Sequence, residues 1–127
     1  SKKEVICWGS GNSLREFMHV DDLSRAILFV LEHWNNFNKE ATNDDDNNCD
    51  YIINIGSGQE ISIKELAQII SKLTCFNGRI EWDISKPNGT PRKILDSGKI
   101  RDMGWKPSIE LNDGIKQTIQ EFMENNI

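Results

Sequence analysis

Ser62 and Glu65 stand three positions apart at the head of an apolar stripe formed by Ile63, Leu66, Ala67, Ile70 and Leu73. In this S-x-x-E arrangement each side chain satisfies a backbone amide that the first turn of a helix leaves free. A helix therefore starts at this point, and its stripe needs a core to face. Loss of the Ser62 cap should cost ~1 kcal/mol. Upstream, Tyr51-Ile52-Ile53-Asn54-Ile55 is nearly all apolar and reads as a short strand buried on both faces, closed by Gly56-Ser57-Gly58.

The rest of the chain divides around this helix. Residues 4–8 read as a strand and Gly9-Ser10-Gly11-Asn12 as a turn. Residues 14–20 alternate loosely and suit a second strand. Asp21 or Asp22 can cap a helix over 22–34, whose apolar face is Leu23, Ala26, Ile27, Val30, Leu31 and Trp34. Residues 35–50 are rich in Asn and Asp and read as a mobile loop, because they cannot bury enough apolar surface to offset the entropy of ordering. The acidic run lacks the glycine and closing glutamate of an EF-hand. After an Asn77-Gly78 turn, residues 79–83 alternate as a strand. Pro87 and Pro91 exclude a regular helix from 84–96. A short helix over 97–103 ends at Gly104. The last helix, 111–125, carries Ile115, Ile119, Phe122 and Met123 on one face, with Glu110, Asn112 and Asp113 all able to cap it.

A chain of 127 residues is enough for one domain and too short for two ordinary ones. The 15 Lys and Arg against 20 Asp and Glu give a net charge of −5, which excludes a general nucleic-acid binder. No apolar run is long enough to span a bilayer and residues 1–7 contain no signal core, so the cytoplasm is the expected location. Cys7, Cys49 and Cys75 form no CxxC pair, and neither His19 nor His33 has metal-ligand spacing. No metal site is expected. Cys7 and Cys75 have apolar neighbours and read as buried, Cys49 as exposed. His19 reads as a structural donor to a carbonyl, and Tyr51 as packing.

Gly9-Ser10-Gly11 and Gly56-Ser57-Gly58 both lack the third glycine of a dinucleotide fingerprint and read as turns. Tyr51 has no lysine four residues on. The Asn88-Gly89-Thr90 sequon has no secretory signal to give it meaning. The 84–96 segment carries more chemistry. Lys86, Arg92 and Lys93, on a loop stiffened by two prolines, would make a local anion site on an acidic domain. Arg15 is a further cation, and Trp8 offers a flat face to a base or sugar.

Several segments together resemble the C-terminal part of the GDP-L-fucose synthase family, epimerase/reductases within the extended short-chain dehydrogenases. They are Trp8-Gly9-Ser10-Gly11, Arg15-Glu16-Phe17-Met18-His19-Val20-Asp21-Asp22, Asn54-Ile55-Gly56-Ser57-Gly58 with Ile63-Lys64-Glu65-Leu66-Ala67, Ser85 through Asp96, and Gly104-Trp105. The Arg-Glu-Phe to Asp-Asp stretch is shared by nucleotide-sugar epimerases and dehydratases at large. The Lys-Pro-x-Gly-Thr-Pro-Arg-Lys segment is more specific to the fucose synthase branch.

The resemblance implies an α/β fold: a small C-terminal substrate domain with mixed short strands and three main helices. It implies that Trp8, Arg15, Asn88 and Lys93 contact a GDP-4-keto-6-deoxy-mannose substrate, with Asn88 standing where the family usually has Asp. The family's NADP fingerprint, its Ser-Tyr-Lys hydride-transfer set and its proton-moving Cys and His precede the matching region. No catalytic residue is therefore expected here, and no cofactor is expected to bind this chain. NADP would belong to an N-terminal Rossmann domain that this chain lacks. The intact enzyme would be a homodimer, and the helix over 22–34 and the strand over 51–55 would pack on the nucleotide-binding half. Other readings are a fragment of a different extended-family epimerase or dehydratase, and a non-catalytic interaction module.

Overall fold

The computed structural model describes residues 3–34 and 52–125. The expected mobile loop over 35–50, with Cys49 and Tyr51, lies outside the described residues. The described residues form five strands: β1 (Glu4–Trp8), β2 (Leu14–Glu16), β3 (Glu60–Ser62), β4 (Arg79–Asp83) and β5 (Arg92–Lys93). Among the described residues four helices accompany them: α1 (Val20–Glu32), α2 (Ile63–Leu73), α3 (Gly98–Asp102) and α4 (Leu111–Asn125). The strands form two small sheets. One is the parallel pair β1–β4; the other has the order β3-β2-β5, with β2 antiparallel to β3 and parallel to β5. The expected small α/β fold with three main helices is what forms.

α2 starts as its sequence dictates. Ser62 Oγ accepts the Glu65 N–H at 3.1 Å while Glu65 Oε2 accepts the Ser62 N–H at 3.0 Å. At its other end, the Phe76 N–H reaches Ser71 O at 2.9 Å and the Cys75 N–H reaches Lys72 O at 3.3 Å. These two bonds make a Schellman ending, which puts Cys75 at φ +52°. Cys75 is consequently exposed rather than buried as expected, because the ending turns it away from the helix's apolar face. α3 ends the same way: Trp105 N–H to Ile100 O at 3.2 Å, Gly104 N–H to Arg101 O at 2.8 Å, with Gly104 at φ +97°.

Four other expectations are corrected. The second strand stops at Glu16, because the chain turns at His19 to begin α1. Neither Asp21 nor Asp22 caps that helix: His19 is the N-cap, and its Nδ1 accepts the Asp21 N–H at 3.3 Å. His19 is thus an acceptor there, not a donor to a carbonyl. Residues 52–55 are not a strand, having no ladder neighbour among the described residues. Ile53 and Ile55 are nevertheless packed against the core of Ala26, Ile100 and Trp105.

Asp22 instead ties the start of α1 to the segment just before α4. It is 1% exposed. Its Oδ2 accepts the backbone N–H of Ile109 at 2.8 Å and of Ser108 at 3.0 Å, and its Oδ1 takes the Ser108 hydroxyl at 3.0 Å and Arg25 Nη2 at 2.9 Å. Burial opposes the charge, but the hydrogen bonds from Ile109, Arg25 and Ser108 outweigh it and hold the carboxyl below its ordinary range. Beyond this anchor α4 runs close to the start of α1, with Gly114 leaving room for the His19 ring.

The core is small, and one side of α1 remains open. Val20, Leu23, Ile27 and Leu31 recur at helical spacing and are 63, 40, 47 and 65% exposed.

Candidate functional site

β2 and β5 pair so that Arg15 lies opposite Lys93 and Leu14 opposite Arg92. Register partners on neighbouring strands project to the same face, and successive residues to opposite faces. Arg15 and Lys93 therefore share one face, and Arg92 takes the other. Arg92 forks onto Glu60, with Nε to Oε1 and Nη2 to Oε2 both at 2.7 Å. That hydrogen bonding holds the Glu60 carboxyl below its ordinary value. Arg92 is thereby committed within the fold, a correction to its place in the expected anion site. Arg15 spends one N–H on Leu14 O at 2.6 Å. Among the described residues no carboxylate is ion-paired with Arg15 or Lys93.

Trp8 ends β1 opposite Asp83 of β4 and is 70% exposed. Past β4 the chain turns tightly, with the Lys86 N–H on Asp83 O at 3.1 Å and the Ser85 N–H on Asp83 Oδ1 at 3.0 Å. This brings Lys86 Nζ to 5.8 Å from the Trp8 ring centroid, a cation–π contact. The following loop is tied to the Gly9–Leu14 stretch. Asn88 Oδ1 accepts the Ser10 N–H at 2.6 Å, Asn88 O accepts the Ser13 hydroxyl at 2.8 Å, and Pro91 O accepts the Leu14 N–H at 2.9 Å. Gly9, at φ +77°, permits this approach: a Cβ there would lie 2.6 Å from Asn88 Oδ1. The Arg15 guanidinium lies beside the same loop, with Nη2 3.6 Å from where a Cβ on Gly89 would sit.

Trp8 and Arg15 thus flank the 86–91 loop that carries Asn88, and Lys93 lies across the ladder from Arg15. Ser10 and Ser13, which anchor that loop, were not identifiable as such from the sequence, because nothing local marks them. Glu16 acts behind the site. Its carboxylate accepts the N–H groups of Gly58 and, at 3.2 Å, Leu95, which ties the Gly56–Gly58 turn to the segment after β5.

Neither glycine turn is built for a dinucleotide diphosphate, which needs a strand-to-helix turn with helix amides aimed at it. Gly9–Gly11 connects β1 to β2, and Gly56–Gly58 leads into β3. The described residues also contain no cluster of His, Cys, Asp and Glu able to hold a metal ion, and no helix long and apolar enough to cross a membrane.

The fold is similar to part of the extended short-chain dehydrogenase fold. The NAD dependent epimerase/dehydratase family matches residues 1–56. A GDP-6-OMe-4-keto-L-xylo-heptose reductase from C. jejuni superimposes with a TM-score of 0.84 at 35% identity, over 99% of this chain and 35% of that one.

Within that class the sequence is similar to the GDP-L-fucose synthases. It is 44% identical to probable GDP-L-fucose synthase 1 of Oryza sativa subsp. japonica and 42% identical to GDP-L-fucose synthase of Escherichia coli K12, over 96% of this chain in both cases. A GDP-L-fucose synthetase from Naegleria fowleri, bound to NADP, superimposes with a TM-score of 0.76 at 26% identity, over 96% of this chain and 35% of that one. The chain spans about a third of the length of the curated relatives it matches, 33% and 37% for the rice and bacterial proteins.

Proposed function

We propose that this chain is the C-terminal, substrate-binding part of a GDP-L-fucose synthase. It holds the diphosphate of a GDP-4-keto-6-deoxy-mannose substrate between Arg15 and Lys93, with the exposed Trp8 ring against the nucleotide-sugar and Asn88 at the edge of the site. The observation that carries this reading is the same-face pairing of Arg15 with Lys93, two cations without an acidic partner among the described residues. An arginine fork and a lysine point charge side by side suit the several oxygens of a diphosphate.

The complete protein would invert two carbons of the keto sugar and then reduce its 4-keto group with NADPH. NADP and the residues that move hydride and protons would lie in its other part, against which the open side of α1 would pack. It would work as a cytoplasmic homodimer.

Calorimetric titration of this chain with GDP tests the reading. GDP should bind, and UDP should bind more weakly. Equal affinity for UDP points instead to another nucleotide-sugar epimerase. No binding of either nucleotide refutes the substrate-binding role.

A further inference from the structure

The resemblance to fucose synthases makes position 88 a substrate contact, but the geometry points to a different role. We propose that Asn88 is a positioning residue, a latch whose side-chain oxygen clamps the 86–91 loop onto the Gly9–Ser13 turn before any ligand arrives. This deepens the proposed GDP-sugar role and rests on it for the identity of the ligand.

Three observations converge on the latch. The Asn88 oxygen is engaged by the Ser10 N–H at 2.6 Å, a short bond between residues 78 apart in sequence. The Asn88 carbonyl is held independently by the hydroxyl of Ser13, a residue only 6% exposed. Gly9 leaves no room for a side chain between the two segments, since a Cβ would also lie 3.1 Å from Asn88 Cα and 3.3 Å from Pro87 O. The contact therefore joins two backbones, with the Asn88 oxygen as its pin.

What the pin controls is the spacing of the cations. Lys86, two residues before Asn88, stands over Trp8, and Gly89, one residue after it, lies against the Arg15 guanidinium. Without the pin, the Ser13 hydroxyl and the Leu14 N–H still tie the two segments, and the loop moves more readily away from Trp8 and Arg15. The cation set would then have to be assembled at the moment of binding, at an entropic cost that a preformed site avoids. Asp at this position could make the same bond, because the bond uses one oxygen and no donor.

Amide hydrogen exchange of Ser10, followed by NMR on the ligand-free chain, tests the latch without reference to any ligand. In Asn88→Ala the Ser10 amide should exchange roughly fivefold or more faster, the factor expected for one hydrogen bond. In Asn88→Asp it should stay as protected as in the parent. GDP affinity should fall in Asn88→Ala while the urea midpoint drops by no more than one exposed hydrogen bond is worth, because the core is untouched. Unchanged Ser10 exchange in Asn88→Ala, or lost protection in Asn88→Asp, overturns the latch. If neither parent nor variant binds GDP, the ligand reading fails, and the exchange data still decide whether Asn88 pins the loop.

Discussion

Arg15 and Lys93 are register partners on the parallel strands β2 and β5, and the fold places them on one face of the sheet without a counter-ion among the described residues. Like charges held side by side are unfavourable, so such a pair is expected where an anion completes it. A charge-assisted hydrogen bond is worth roughly 1.5–3 kcal/mol. Arg15→Ala and Lys93→Ala should each weaken GDP binding about 10- to 150-fold, measured by calorimetry. The loss should shrink as salt rises. In the full-length enzyme it should fall on KM more than on kcat, since a diphosphate contact is made about equally in ground and transition states. Lys116→Ala, on the exposed side of α4, is the control and should change little.

Asp22 gives a stability prediction. Removing its carboxylate strands the buried-side donors Ser108 N–H and Ile109 N–H, and Asp22→Ala should lower the unfolding free energy by about 3 kcal/mol. Its carboxyl is held below its ordinary range in the fold. Protonation therefore favours the unfolded chain. The contribution of Asp22 is fully present well above the unfolded pKa of about 3.9 and drains away as pH falls below it. Urea titrations from pH 6 to pH 3 should show an acid-side loss that is smaller in Asp22→Asn. Equal slopes in the two proteins would contradict the assignment.

The ends of α2 and α3 make opposite predictions from one geometry. Cys75 occupies with a side chain the left-handed position that Gly104 occupies without one. Left-handed backbone costs a non-glycine residue ~1–2 kcal/mol. Cys75→Gly should therefore stabilise the chain by about 1 kcal/mol, part of the gain being lost to unfolded-state entropy. Gly104→Ala should destabilise it by a similar amount, about 1 kcal/mol. Thermal melts of the two variants check both signs.

The apolar stripe of α1 predicts behaviour in solution. Val20, Leu23, Ile27 and Leu31 expose a continuous apolar face, and such faces promote association. The chain should self-associate at concentrations where Ile27→Glu, which places a charge mid-stripe, sediments as a monomer. A parent that remains monomeric at the same concentrations would count against this role for the stripe.

Much of the local structure was legible because its signals are local. The Ser62–Glu65 box, the stripe behind it, the alternation of Arg79–Asp83 and the Gly104 stop each involve residues within a few positions, and all four form as expected. Two of the failures share one cause, dependence on distant partners. Asp22 has the composition of a cap but accepts its backbone bonds 86 and 87 residues away, while His19 takes the cap. Residues 52–55 have strand composition, but a strand exists only through a neighbour that pairs with it.

The candidate site divides along the same line. The sequence alone was sufficient to single out Trp8, Arg15, Asn88 and Lys93 through their motifs, since residue type and order survive without coordinates. Residue chemistry by itself did not separate Lys93 from Arg92, two adjacent cations on one loop; only the family resemblance chose Lys93. The pleat of β5 sends one toward Arg15 and the other onto Glu60, and that choice depends on which strands lie alongside. Nor could the sequence reveal that Asn88 bonds Ser10, because a contact across 78 residues is set by how the chain returns on itself. Motif chemistry is a property of the chain. Pairing, counter-charge and burial are properties of neighbours, and neighbours exist only in the folded molecule.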